Sequence, residues 1–126
     1  MRALVATREE RLAQDLASAS RGVDLELAWV AGLPWEVAAS ELWGARLLLL
    51  DADMGSGHVL HAARHARLHN PDLKVVVLIS WWDERERDYA AVADGFLRVP
   101  ARSQDLQALL ATLGLGATQR EPVLVA

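Results

Sequence analysis

Short apolar runs alternate along the chain with stretches of helical spacing. Each apolar run ends at a polar or turn-forming residue, and we predict strands at residues 3–6, 24–30, 46–50, 74–79 and 96–99. The runs at 46–50 and 74–79 are almost entirely hydrophobic, which is typical of strands that are buried on both faces of a parallel sheet. Residues 24–30 alternate instead, which indicates a strand with one partly exposed face.

Apolar positions spaced for helices follow every predicted strand. Thr7 with Glu10 three residues later predicts a capping box at the first helix, and Ser103 predicts the N-cap of the last one. The predicted helices cover residues 7–22, 34–44, 58–69, 83–93 and 103–113. Strand and helix therefore alternate five times, which predicts an α/β protein with a parallel sheet covered by helices on both faces.

The length of 126 residues fits one domain, which we place at residues 1–116. A tail at residues 117–126 follows the last predicted helix. Its apolar segment 123–125 predicts either a mobile end or a strand added to a sheet edge. Because so few residues follow the last helix, we expect a stand-alone module without an attached output domain.

Composition excludes several classes of function. The formal net charge is −4 and no basic block is present, so we expect no nucleic-acid surface. Cysteine is absent, which excludes disulfides, cysteine-ligated metals and thiol catalysis. No apolar run is long enough to span a bilayer, and the first residues lack the apolar stretch of a signal peptide. We therefore expect a cytoplasmic protein with no membrane partner.

Polar side chains gather where the predicted strands end. In an open parallel sheet, functional groups lie at the carboxyl ends of the strands. The residues at those ends are Thr7, Arg8, Asp51, Asp53, Ser80, Val99 and Pro100. An aspartate after one buried strand and a small hydroxyl after the next are the candidate chemistry of this chain.

With these residues at the strand ends, the pattern of the sequence resembles that of the response-regulator receiver domain over about residues 2–113. Three segments carry the resemblance: LLLLDADM at 47–54, KVVVLIS at 74–80 and AVADGFLRVP at 91–100. The resemblance implies a flavodoxin-like (βα)5 fold, a doubly wound parallel five-stranded sheet with strand order 2-1-3-4-5. It also implies that Asp51 stands at the phosphoacceptor position, and Ser80 and Phe96 at the switch positions.

Several positions depart from the family's pattern. Thr7 and Arg8 stand where the family has two acidic residues that hold Mg²⁺, and Val99 stands where it has a lysine. Asp53 is the acidic residue left beside the acceptor position, and Trp81 replaces a small residue after the switch hydroxyl. Phosphoryl transfer to a carboxylate requires a metal clamp and a cation, because it brings anions together.

We therefore expect a pseudo-receiver in which Asp51 either pairs with the guanidinium of Arg8 or accepts local backbone N–H groups, and in which the bulk of Trp81 obstructs the pocket. Such a module is not an enzyme, needs no cofactor and signals by protein–protein contact. The alternative is a phosphorylatable receiver in which Asp51 is the nucleophile and Asp53 or Glu9 helps to hold Mg²⁺ in a non-standard site. A third class, a small-molecule-binding flavodoxin-like domain, has no specific support, because the first loop lacks a glycine-rich phosphate cradle.

The tryptophans and histidines supply the remaining candidates. Trp81, Trp82 and Phe96 predict a contact surface for a protein partner or a homodimer, on the face of the fourth helix, fifth strand and fifth helix. The other tryptophans, which we expect to pack in the core or cover its edge, are Trp29, Trp35 and Trp43. Four histidines share one face of the third helix: His58, His61, His65 and His69. Pairs four residues apart are able to ligate zinc, but no carboxylate completes a site, which favours a solvated polar face.

Overall fold

The computed structural model describes residues 1–30 and 44–115, and they form one parallel five-stranded sheet. The strands are β1 (Arg2–Ala6), β2 (Glu26–Val30), β3 (Leu47–Asp51), β4 (Lys74–Ser80) and β5 (Gly95–Val99). Their order across the sheet is β2-β1-β3-β4-β5, and every neighbouring pair is parallel. The predicted flavodoxin-like fold and strand order are therefore confirmed.

Four α-helices and one short 3-10 helix connect the strands in the described part of the chain. The α-helices are α1 (Glu10–Ala19), α2 (Ser56–His69), α3 (Glu86–Tyr89) and α4 (Ser103–Thr112), and the 3-10 helix is Ala52–Met54. The predicted helix at 34–44, with Trp35 and Trp43, lies almost entirely outside the described residues, and the tail at 117–126 lies wholly outside them. None of the helices described is both long enough and apolar enough to cross a membrane.

Two hydrophobic clusters lie on opposite faces of the sheet. In β3, Leu48 and Leu50 join the cluster that packs under α2 and α3, whereas Leu47 and Leu49 join the one under α1 and α4. Successive side chains of a strand point to opposite faces, so a central strand covered on both sides must be apolar throughout. This is why the runs at β3 and β4 are continuous.

The predicted capping box at the first helix is wrong. Helix α1 begins at Glu10, and its N-cap is Glu9, which makes no side-chain capping bond. The hydroxyl oxygen of Thr7 accepts a hydrogen bond from the backbone N–H of Glu9 (3.0 Å). Because Thr7 is buried one residue after β1, its hydroxyl lies in the loop that leads into the helix.

The last helix also begins differently from the prediction. Its N-cap is Arg102, whose backbone N–H donates to the carboxylate of Asp105 (2.8 Å). Ser103 is the first helical residue, and its hydroxyl donates to the carbonyl of Ala19 (2.6 Å). This bond ties the start of α4 to the end of α1 on the same face of the sheet.

The fourth helix of the prediction is shorter than expected. Residues 83–93 contain only the single turn of α3, which spans Glu86–Tyr89. The carboxylate of Asp83 accepts the backbone N–H of Arg85 (2.9 Å), and this local bond holds the preceding residues in a turn. The loop between β4 and α3 therefore stays at the carboxyl edge of the sheet.

Candidate functional site

The carboxyl ends of the central strands border an open cleft of about 490 Å³. Asp51, Ser80 and Val99 line it as the last residues of β3, β4 and β5, and Asp53 lines it from two residues beyond β3. With Pro100, which also lines the cleft, the structure thus brings together five of the residues that the sequence placed at this edge. Glu9, which the alternative assigned to metal binding, also lines the cleft.

Asp51 is a buried carboxylate whose two oxygens both accept hydrogen bonds from within the chain. It is the last residue of β3, and only 6% of its surface is exposed. Oδ2 accepts the hydroxyl of Thr7 (2.6 Å), and Oδ1 accepts the backbone N–H of Asp53 (2.9 Å). The negative charge of Asp51 is therefore stabilised by two internal donors, which offset the loss of hydration on burial.

Every polar atom of Thr7 forms a hydrogen bond. It is fully buried, and its backbone N–H donates to the carbonyl of Val30 (3.3 Å). Its carbonyl accepts the indole N–H of Trp29 (2.9 Å). Since the hydroxyl oxygen already accepts the N–H of Glu9, its single proton is directed to Asp51. Trp29, with 45% of its surface exposed, covers this edge of the sheet.

Of the two alternatives expected for Asp51, the bond from a local backbone N–H is present as the donation from Asp53, whereas the ion pair with Arg8 is wrong. Arg8 is exposed, and it forms no ion pair with any residue in the described ranges. Thr7 takes the inward position directly after β1, and the following side chain turns to the opposite side, into solvent. A neutral hydroxyl therefore neighbours the acceptor position in place of a guanidinium.

A cation does reach the cleft, and it comes from the loop after β4. Arg85 Nη2 donates to Oδ1 of Asp53 (2.9 Å) and to Oδ2 of Asp83 (2.6 Å), and Nη1 donates to the carbonyl of Ala52 (3.4 Å). Hydrogen bonding from Arg85 lowers the pKa of Asp83, and the same bonds raise the pKa of Arg85. The sequence predicts no role for Arg85 at this site, because the residue falls inside the predicted helix over 83–93, whereas the helix begins only at Glu86.

A second arginine stabilises the same loop. Arg98, in β5, donates through Nη1 to the carbonyls of Ser80 (2.7 Å) and Asp83 (2.6 Å). Its Nη2 donates to Glu86 (2.9 Å). These bonds hold the guanidinium of Arg98 against the loop backbone. The next residue of β5, the neutral Val99, is the one that lines the cleft.

Both of the paired tryptophans are exposed, as the expected contact surface requires, but the one that lines the cleft is Trp82. Trp82 lines the cleft and is 81% exposed, whereas the indole N–H of Trp81 donates to the carbonyl of Pro100 (3.2 Å). The tryptophan at the cleft is thus Trp82 and not Trp81, whose ring is bonded to the residue that follows β5. Phe96 is half-buried and packs against the core cluster that contains Tyr89.

The side chains at the cleft do not fit a magnesium ion as they are arranged. Mg²⁺ takes several oxygen ligands in near-octahedral geometry. In the parts of the chain described, no group of three or more His, Cys, Asp or Glu residues is placed to hold a metal ion. Of the three candidate carboxylates, Thr7 already bonds Asp51 and Arg85 bonds Asp53, and Glu9 does not form a group with them that could hold an ion.

Comparison with known proteins places the fold. No protein-family model matches the chain, and no curated protein does. Among solved structures, a response regulator from Thermotoga maritima has a TM-score of 0.74 at 17% identity, over 90% of this chain and 97% of that one. A receiver domain from Methylobacillus flagellatus has a TM-score of 0.74 at 14% identity, over 90% and 98%.

A protein described as a putative pilus assembly protein from Burkholderia thailandensis is also similar, with a TM-score of 0.68 at 16% identity over 90% and 98% of the two chains. Identities this low establish shared architecture. The structural similarity covers almost the whole length of each of these three solved structures. Two of the three are described as a response regulator and a response regulator receiver domain. This chain therefore has the fold of response-regulator receiver domains.

Proposed function

We propose that this chain is a receiver-like signalling module that acts through protein–protein contact, without Mg²⁺-dependent phosphorylation of Asp51. The observation that carries the proposal is the hydrogen bonding of Asp51, both of whose oxygens accept donors from the chain itself. The receiver fold supports a signalling role. We assign no enzymatic activity, and the cytoplasmic location and the absence of nucleic-acid partners stay predictions.

Electrostatics supports the loss of phosphorylation. Transfer of a phosphoryl group onto a carboxylate adds negative charge to a site that is already anionic, so a metal ion and a cation must neutralise it. Thr7 and Val99 are neutral where those charges would be needed. Arg85 is a cation within reach of Asp53, but its guanidinium is already shared between two carboxylates.

A phosphodonor assay tests this proposal. The protein is incubated with acetyl phosphate and Mg²⁺, and its intact mass is compared with that of Asp51→Asn and of a conventional receiver treated in parallel. We expect the conventional receiver alone to gain a phosphoryl group. A stoichiometric gain in the wild-type protein that disappears in Asp51→Asn would overturn the proposal.

One observation favours the alternative, which is a phosphorylatable receiver. Asp51 and Ser80 border the same open cleft, and the side chain of Asp53 is 67% exposed, so a phosphodonor has a route to the site. In this version a non-standard Mg²⁺ site would include Asp53 or Glu9. The Asp51-dependent mass gain is the outcome that distinguishes it from the main proposal.

The exposed indoles support a contact surface beside the cleft. Trp81 is 58% exposed and Trp82 is 81% exposed, and both precede α3. Tryptophan contributes disproportionately to binding energy at protein interfaces. We propose that these two rings and the half-buried Phe96 contact a protein partner or a second copy at the face of α3, β5 and α4. Sedimentation equilibrium tests the second-copy version, since a protein that stays monomeric at every concentration would exclude it.

A further inference from the structure

The outer face of α2 carries neighbouring imidazole rings. His65 and His69 lie one helical turn apart, with ring centroids 4.6 Å apart in an edge-to-face arrangement. Buried Ala62 and Ala66 anchor the opposite side of the helix in the core. His69 is exposed and His65 is half-buried, so both rings are accessible from solvent.

We propose that His65 and His69 together bind a divalent transition-metal ion of the kind that favours imidazole, such as Ni²⁺, Cu²⁺ or Zn²⁺. Residues four apart on a helix share one face, and histidine pairs with this spacing occur as metal ligands in proteins. An ion held by two ring nitrogens would fill its other coordination positions with water. The helix fixes the two ligands relative to each other before the ion arrives, which lowers the entropic cost of binding.

The neighbouring pair on the same helix is less suited to share an ion. The rings of His61 and His65 are stacked, with planes 17° apart and centroids separated by 6.4 Å. No group of three or more ligand-type side chains in the described chain is arranged around a common point. The closer spacing of the rings therefore favours His65 and His69 over His61 and His65 as a pair that shares an ion.

The charges around the pair allow a cation to bind. Of the two arginines that flank the stripe, Arg67 forms an ion pair with Asp94 (2.7 Å), which offsets its charge, and Arg64 is exposed to solvent.

Isothermal titration of untagged protein with Ni²⁺, at a pH above 7 in a buffer that does not chelate metal, tests the site. The variants are His69→Gln and His65→Gln, each of which removes one proposed ligand, and His61→Gln, which removes a ring of the same stripe as the matched control. Circular dichroism of each variant checks that the fold is retained.

We expect His69→Gln and His65→Gln to bind Ni²⁺ at least about tenfold more weakly, because even the loss of groups that merely orient metal ligands costs that much. We expect His61→Gln to bind like the wild type. The proposal is overturned if the wild-type protein shows no saturable binding, or if His69→Gln binds as tightly as wild type. This outcome is independent of the phosphodonor assay, since neither histidine lies at the Asp51 cleft.

Discussion

The hydroxyl of Thr7 donates a 2.6 Å hydrogen bond to Oδ2 of Asp51, and this bond joins the carboxyl ends of β1 and β3. Both residues are buried, so the bond forms away from competing water. It gives the Asp51 carboxylate a structural partner at the position where the resemblance to receivers implies a metal ligand. The predictions that concern the cleft follow from this contact.

Replacing Thr7 with valine keeps the shape of the side chain and removes the donor. We expect Thr7→Val to lower the free energy of unfolding by about 1–3 kcal/mol, because a buried carboxylate oxygen loses its hydrogen bond. Urea denaturation measures the change. Thr112→Val is the matched control, since the hydroxyl of Thr112 donates to a helix carbonyl at an exposed position. Equal losses in the two variants would show that the buried bond to Asp51 stabilises the fold no more than the exposed bond of Thr112 does.

Replacing Thr7 with aspartate puts two carboxylates side by side. We expect Thr7→Asp to be less stable than wild type in EDTA, because like charges repel in a buried site, and to regain stability when Mg²⁺ is added. Thermal unfolding with and without Mg²⁺ measures this, and the fluorescence of Trp82, which lines the cleft, reports on binding. Wild-type protein should respond to Mg²⁺ in neither measurement. A variant that Mg²⁺ leaves unchanged would show that position 7 does not control metal binding.

The sequence predicted the sheet well, for a physical reason. Central strands of a doubly wound sheet are buried on both faces, so β3 and β4 are continuous apolar runs that no amphipathic helix would show. The end of β3 at Asp51 was equally visible. Helix starts were predicted less well, because the Thr7 and Ser103 hydroxyls bond to distant partners that local spacing does not reveal.

The sequence predicted that an arginine bonds an aspartate at the site, but it indicated the wrong arginine and the wrong aspartate. Arg8 is adjacent to the strand end, yet its side chain faces solvent, whereas Arg85 reaches Asp53 from 32 positions further along the chain. Which long side chain enters a cleft depends on loop geometry and on the side from which its backbone approaches. Sequence proximity to Asp51 carries neither kind of information.

The hydrogen bonds between Arg85 and Asp83 predict a pH effect on stability. Because these bonds lower the pKa of Asp83 in the folded protein, their stabilisation is complete above the ordinary value of 3.8 and is lost as the pH falls through the lowered folded value. We expect Arg85→Gln to lose less stability than wild type on acidification below 3.8. Denaturant titrations from neutral pH downward measure the slopes. Arg87→Gln, at an exposed position, should keep the wild-type slope, and an identical slope in Arg85→Gln would contradict the prediction.

Replacing Trp81 and replacing Trp82 should change the free energy of unfolding by different amounts. Trp82 is 81% exposed and serves the cleft and the proposed contact surface, so we expect Trp82→Ala to change the free energy of unfolding by less than about 0.5 kcal/mol. Trp81→Ala should cost more, since it removes the bond to the carbonyl of Pro100. Chemical denaturation of both variants checks the order. A larger loss in Trp82→Ala would show that its ring supports the fold rather than a partner.

Asp94 links the turn before β5 to the buried strand β4. Its Oδ2 accepts the backbone N–H of Val75 (2.7 Å) and Nη2 of Arg67 (2.7 Å). Because Val75 is fully buried, we expect Asp94→Ala to cost about 1–3 kcal/mol by leaving that N–H unpaired. Asp94→Asn, which retains an acceptor oxygen, should cost less, and Arg67→Ala should cost under about 1 kcal/mol, as is usual for a partly exposed ion pair. Denaturant titration of the three variants establishes the ranking. If Arg67→Ala proved as costly as Asp94→Ala, the ion pair and not the backbone bond would be the main contribution of this residue.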